Sequence, residues 1–279
     1  MRKVTTLLAS ITLFEQRSST SKRTSCKLET RALRNISRVN SLIKAILFDL
    51  GGTLVYDDSG EELVGRAYQN VAKYLNIMGH DVTGDEFARI LLEVREELRR
   101  NLVDEYLDLD MLYAYWTALK RLGITPTLPL VKGCIEAYYI VRASKVKFFP
   151  EVESVLKHIK ECNYKTAIVS NTNVGFDYVV ANLNLRNYFD VLVASYRVTR
   201  RKPHPLIFAK TLEFLKVCSG ETLMVGDSLN ADVLGAKKFG MKVIWIVRGD
   251  VNVDEMLGRV EVKPDAVIKS LDELFDVIS

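Results

Sequence analysis

KAILFDLGGTL, Lys44 to Leu54, decides how the rest of the chain is read. Four apolar residues, Ala45 to Phe48, run unbroken into Asp49, and Gly51, Gly52 and Thr53 follow at once. A strand that is apolar at every position calls for cover on both faces, the habit of a parallel sheet. The two glycines then turn the chain sharply, so Asp49 stands at the strand's carboxyl end.

Similar apolar runs recur downstream. KTAIVS (Lys165 to Ser170), DVLVA (Asp190 to Ala194), TLMVG (Thr222 to Gly226), KVIWIV (Lys242 to Val247) and DAVI (Asp265 to Ile268) alternate with amphipathic stretches. That alternation predicts an α/β protein with a Rossmann-like parallel sheet and crossover helices. Between the first two strands lies a long insertion with no comparable β-branched run. It reads as four helices: Glu61 to Ile77, one introduced by Thr83 and Glu86 at capping-box spacing, Asp108 to Leu122, and Leu128 to Ala143. An insertion able to bury its own helical faces is a second, all-helical cap domain. The expected organisation is a core over 43–56 and 148–279, a cap over 57–147, and an N-terminal extension over 1–42.

Composition sets limits on function. With 279 residues, 48% hydrophobic and 27% charged, the chain has the make-up of a soluble globular protein. The charge is unevenly placed: residues 1 to 43 carry nine basic residues against two acidic ones, a balance of +7. From Lys44 onward the balance is −3, which brings the whole to +4. A nucleic-acid-binding body is therefore not expected. The apolar stretch TLLASITLF, Thr6 to Phe14, is shorter than the roughly 20 residues of a membrane span. The extension reads first as a disordered tail or a mis-assigned start; a secretory signal lacks a convincing small-residue cleavage site, while an organelle transit peptide also fits the composition. Cys26, Cys134, Cys162 and Cys218 lie far apart and read as isolated thiols of a reducing, cytoplasmic setting. A monomer or homodimer is expected, with no membrane or nucleic-acid partner.

In an open parallel sheet, ligands bind beyond the carboxyl ends of the strands. On that rim the sequence places Asp49, Ser170 with Asn171, Lys202 in RRKPHP, and Asp227 with Asp232 in GDSLNAD. Each alone has an ordinary structural reading. Asp49 could accept turn amides, and Ser170 with Asn171 could cap a helix beginning near Asn173. Asp227 and Asp232 could be a helix cap and an exposed helix carboxylate. Lys202 is the member of its basic run expected to point inward, leaving Arg200 and Arg201 as surface charges. Taken together, Asp227 and Asp232 are two carboxylates, hard oxygen donors, so placed as to suit Mg2+.

The order and context of FDLGGTL, VSNT, RKPHPLIF and GDSLNADVLGAKKFG resemble the haloacid dehalogenase superfamily of hydrolases from about Lys44 to the C-terminus. The resemblance implies that Asp49 attacks a phosphoryl group and forms an aspartyl-phosphate. It implies Mg2+ held by Asp49, Asp227 and the carbonyl of Gly51. Ser170 and the backbone near Asn171 would bind phosphoryl oxygens, Lys202 would neutralise charge, and Asp232 would orient Lys202 or metal-bound water.

One position departs from the family. Its phosphatases carry a second acid two residues after the nucleophile, and here that residue is Gly51. General acid-base catalysis is worth on the order of 10² to 10⁴ in rate, so poor leaving groups should suffer most. Tyr56, Asp57 and Asp58 are the candidates to supply a proton. Lys73 is the one cap lysine considered for Schiff-base chemistry, and its helical setting favours a solvated charge. The expectation is a Mg2+-dependent phosphatase acting on a small phosphorylated substrate. The alternatives are a 2-haloacid dehalogenase-type hydrolase and a low-turnover protein that binds a phosphorylated ligand.

Overall fold

The computed structural model describes residues 43–58, 60–102 and 104–278. The expected extension over 1–42 lies outside them. In chain order, β1 (Ala45–Phe48) and β2 (Val55–Asp57) lead into α1 (Glu61–Ile77), α2 (Gly84–Arg100), α3 (Met111–Arg121) and α4 (Leu128–Ala143). The chain returns through β3 (Val146–Phe148), α5 (Val152–Glu161), β4 (Lys165–Ser170), α6 (Phe176–Asn182), β5 (Val191–Ala194), α7 (Ser195–Val198) and α8 (Pro205–Leu215). It ends with β6 (Thr222–Gly226), a π-helical segment Leu229–Leu234, α9 (Gly235–Lys238), β7 (Lys242–Ile246), α10 (Val253–Gly258), β8 (Ala266–Ile268) and α11 (Leu274–Ile278).

Six strands form one parallel sheet in the order β5-β4-β1-β6-β7-β8. β1 lies inside it, with Leu47 level with Ala167 of β4 and Met224 of β6. All four β1 residues are fully buried, and their alternation divides them between two cores. Ile46 and Phe48 join Val155 and Leu156 of α5 and Val180 of α6 on one face. Ala45 and Leu47 join Phe208 and Leu212 of α8 on the other. The uniform apolar run thus has cover on both sides, as its composition requires. Strand order reverses at β1, which places a crevice beyond its carboxyl end.

The four helices of the insertion appear close to their expected bounds. Thr83 accepts the Glu86 N–H at the start of α2, and Thr127 accepts the Leu130 N–H at the start of α4. α3 begins three residues later than expected because Asp110, not Asp108, accepts the N–H of Tyr113. A separate apolar cluster unites these helices, with Val71, Leu75, Phe87, Tyr115, Leu119 and Val131 at its centre.

The antiparallel pair β2 and β3 was not expected, and it joins the two connections between insertion and sheet. Each strand has three residues, and Tyr56 and Asp57 are exposed, so no alternating pattern marks them. No helix of the described residues is long and apolar enough to cross a membrane.

Candidate active site

β1 delivers Asp49 to the rim, where its N–H donates to the Val225 carbonyl of β6 at 2.9 Å. The turn that follows is closed by its own backbone: Gly52 N–H donates to the Val55 carbonyl at 2.8 Å and Leu54 N–H to the Leu50 carbonyl at 2.9 Å. Gly52 has φ +74°, and a β-carbon there would collide with the Asp227 carboxylate. Only glycine lets the turn approach that carboxylate so closely. The sequence showed Gly52 but not this role, because the approach depends on a residue 175 positions away.

Asp227 follows β6, and Trp245 Nε1 donates to its carbonyl at 2.8 Å. Ser228 then opens the π-helical segment, its hydroxyl accepting the Ala231 N–H while its own N–H donates to Asp232 Oδ2 at 3.0 Å. That reciprocal bonding turns Asp232 inward, where it is 1% exposed. It is a buried member of the cluster, so the exposed-helix reading of Asp232 does not hold.

Lys202 sits between the carboxylates. Its Nζ lies 2.5 Å from Asp49 Oδ1 and 2.6 Å from Asp232 Oδ1, and all three residues are buried. The backbone around it is fixed by Asn171, whose side chain accepts the Lys202 N–H at 2.6 Å and donates to the Lys202 carbonyl at 2.9 Å. Asn171 therefore does not cap a helix. α6 begins only at Phe176, after Gly175. Ser170, the last residue of β4, is 5% exposed and lines the same cavity.

The cavity encloses about 750 Å³ and is lined by Asp49, Gly51, Ser170, Asn171, Lys202 and Asp227, with Asp232 at its wall. Every expected site residue is thus brought to one place. A carboxylate oxygen from each of Asp49, Asp227 and Asp232 lies within 4.8 Å of the others. Three carboxylates gather around one ammonium, which pairs with two of them. Burial, reinforced by Asp232 and Asp227 and only partly offset by Lys202, pushes the Asp49 carboxyl up to about 7. Burial also opposes the charge on Lys202, but Asp232 and Asp49 outweigh it and hold the ammonium above its usual range. Asp227, which opens onto the cavity, is pushed up by partial burial and then by Asp232. A hard divalent cation fits this oxygen-only, over-negative donor set, and the Gly52 cradle leaves the Asp227 carboxylate room to serve it.

Gly51 is exposed, and a β-carbon placed on it would meet nothing within 4 Å. Space for the family's second acid is therefore present, although the acid is not. Of the residues considered as substitutes, Asp57 is held by Arg142 at 2.6 Å and Asp58 by Lys147 at 3.0 Å. Tyr56 lines the cavity and packs on Phe149. Lys73 is exposed on α1.

Arg201 is exposed, as expected of a surface charge, and Arg200 is half-buried, but each has a carboxylate within reach. Arg200 lies 3.8 Å from Asp104, and Arg201 lies 3.8 Å from Asp108 and lines the cavity. The segment before α3 crosses to them, with the Arg201 N–H donating to the Tyr106 carbonyl at 2.8 Å. Their spacing carries no sign of this, because the partners belong to the insertion, about a hundred residues earlier.

The family model for haloacid dehalogenase-like hydrolases matches residues 43–240. The glyceraldehyde 3-phosphate phosphatase of Methanopyrus kandleri is 31% identical over 240 residues, covering 85% of this chain and 97% of its own. The protein of the same name from Pyrococcus abyssi is 30% identical over 210 residues, 75% of this chain and 83% of its own. Among solved structures, a HAD phosphatase from Thermococcus onnurineus superposes with a TM-score of 0.57 at 29% identity, covering 85% of this chain and 98% of its own. A 2-haloacid dehalogenase from Pseudomonas syringae pv. Tomato shares the fold, with a TM-score of 0.63 at 24% identity and the same coverage. The chain belongs to the haloacid dehalogenase-like hydrolase family.

Proposed function

We propose that this hydrolase is a Mg2+-dependent phosphatase of small phosphorylated metabolites, working through an aspartyl-phosphate at Asp49. The observation that carries the reading is Lys202, buried between Asp49 and Asp232 in a cluster that Asp227 completes at the cavity. Asp49 supplies the nucleophilic oxygen. It attacks phosphorus in line, the phosphorus–ester oxygen bond breaks, and the leaving oxygen departs with that bond's electron pair. Water then attacks the aspartyl-phosphate, releasing inorganic phosphate and restoring Asp49.

The other residues act on charge and position. Lys202 offsets negative charge on Asp49 and the incoming phosphoryl group, and Asp232 holds the ammonium in place. The Ser170 hydroxyl and the adjacent backbone N–H groups receive phosphoryl oxygens. Mg2+, held by the Asp49 and Asp227 carboxylates and the Gly51 carbonyl, would neutralise the surplus charge that, with burial, pushes the Asp49 carboxyl up. The helical insertion closes over the cavity as a cap that limits water and selects substrate.

Gly51 cannot protonate the leaving oxygen, so the reading favours leaving groups that depart as stable anions, acyl and aryl phosphates over alkyl ones. Phosphate release from acetyl and phenyl phosphate, measured with Mg2+ and with chelator, tests the reading. Release that needs Mg2+ and disappears in Asp49→Asn supports it. Release that is equal in Asp49→Asn contradicts it.

A further inference from the structure

Beside the cavity of Asp49 lies a second one of about 480 Å³, between the insertion and the sheet. The two adjoin, with Glu105, Asn171, Thr172 and Arg201 lining both. Three arginines reach the second cavity: Arg95 and Arg99 from α2, and Arg201 from the loop that carries Lys202. The first two stand one helical turn apart, at i and i+4, so they share a face on which like charges repel.

Two carboxylates line the same space. Glu105 accepts the Tyr106 hydroxyl, and Asp108 faces Arg201 Nε at 3.8 Å through Oδ1 while its Oδ2 is buried without a hydrogen-bond partner. No carboxylate pairs with Arg95 or Arg99 among the described residues. Arg95 Nε is buried without a hydrogen-bond partner, and its guanidinium lies near the Tyr139 phenol, itself bonded to Asn173 at the cavity wall. A buried, unpaired guanidinium N–H is costly unless an anion meets it. Arginine's planar fork suits carboxylate and phosphate oxygens alike.

We infer that Arg95, Arg99 and Arg201 form a subsite for a second anionic group of the substrate, so the preferred substrate is a small phosphate ester or anhydride bearing a carboxylate or second phosphate at its far end. The inference rests on the phosphatase reading, which places the first phosphoryl group at Asp49. Arg201, lining both cavities, couples the two ends.

Non-hydrolysable phosphonates separate the two claims. Calorimetric dissociation constants are measured on the Mg2+-loaded full-length protein for butylphosphonate, 3-phosphonopropanoate and propane-1,3-bisphosphonate. The subsite predicts that at least one of the two probes with an anionic tail binds about tenfold or more tightly than butylphosphonate. The better of the two identifies the second group as carboxylate or phosphate. Arg95→Gln and Arg99→Gln, each checked for an unchanged melting profile, should bring that ratio down toward one, and Arg95→Lys should restore part of it. A ratio near one in the natural protein, or a ratio that survives both substitutions, overturns the subsite while leaving the phosphatase reading intact. Failure of every phosphonate to bind, together with no phosphate release from any ester, removes the phosphatase reading and the subsite with it.

Discussion

At the scale of single residues the decisive feature is an ammonium shared by two buried carboxylates. Lys202→Met would leave Asp49 and Asp232 buried without their cation, and breaking a buried pair in this way costs about 3–5 kcal/mol. Urea unfolding at pH 7 with chelator should show that loss, and added Mg2+ should recover part of it. Gly51 is the complementary case, a position where something can be added. Its β-carbon would meet open space, so Gly51→Asp should keep the fold and raise turnover of alkyl phosphates by about tenfold or more, with a smaller gain on aryl phosphates. Equal gains on both would mean that leaving-group protonation is not what the site lacks. Asp49, Ser170, Lys202, Asp227 and Asp232 were all legible in the sequence because each sits at or just past the end of a recognisable strand or in a motif beside it. The part played by Arg201 was hidden, since its ion pair with Asp108 arises only when the insertion folds back.

At the scale of elements, the turn after β1 is the part under most constraint. Gly52→Ala would put a methyl group against the Asp227 carboxylate at a positive φ, and should weaken Mg2+ binding by tenfold or more in calorimetry. Unchanged affinity would show that Asp227 is not held there for the metal. The same turn is tied to the rest of the core by Arg248, which donates to the Thr53 carbonyl at 2.8 Å and to Glu151 at 2.6 Å while lying 3.9 Å from the Phe149 ring centre. Glu151 also accepts the Leu271 N–H. Burial opposes its charge, but these donors win and hold its carboxyl below the ordinary value of 4.5. A depressed carboxyl contributes stability above that pH and loses it as the pH falls through the folded value. Glu151→Gln should therefore cost about 2 kcal/mol at pH 7, and the gap to the natural protein should narrow below pH 4.5. A gap that stays constant with pH would rule out the charge as its source. The strands of the sheet were plain in the sequence because each is an apolar run. β2 and β3 were not, because three exposed or half-buried residues pairing across an intervening helical insertion leave no local pattern.

At the scale of the molecule, the parallel sheet fixes a rim, and the insertion returns over it. β1 contributes Asp49, β4 ends in Ser170, and β6 leads to Asp227, so neighbouring strands in the order β4-β1-β6 converge without any loop having to reach far. Tyr139 of α4 stacks on Tyr178 of α6, and Asn182 donates to the Ala143 carbonyl, so insertion and sheet meet on this side as well as through Arg200 and Arg201. The fold class and the existence of the insertion followed from the alternation of runs. What lines the cavities beside the insertion did not, because helix faces specify their own core but not which charges meet opposite them. The central claim is that Asp49 itself is phosphorylated. It is tested by quenching the Mg2+-loaded protein during turnover of acetyl phosphate, reducing with borohydride, and sequencing the peptide that contains Asp49 by mass spectrometry. The account predicts homoserine at position 49, formed only with both substrate and Mg2+. Steady phosphate release with unmodified aspartate at 49 and the reduced product at another residue would contradict it.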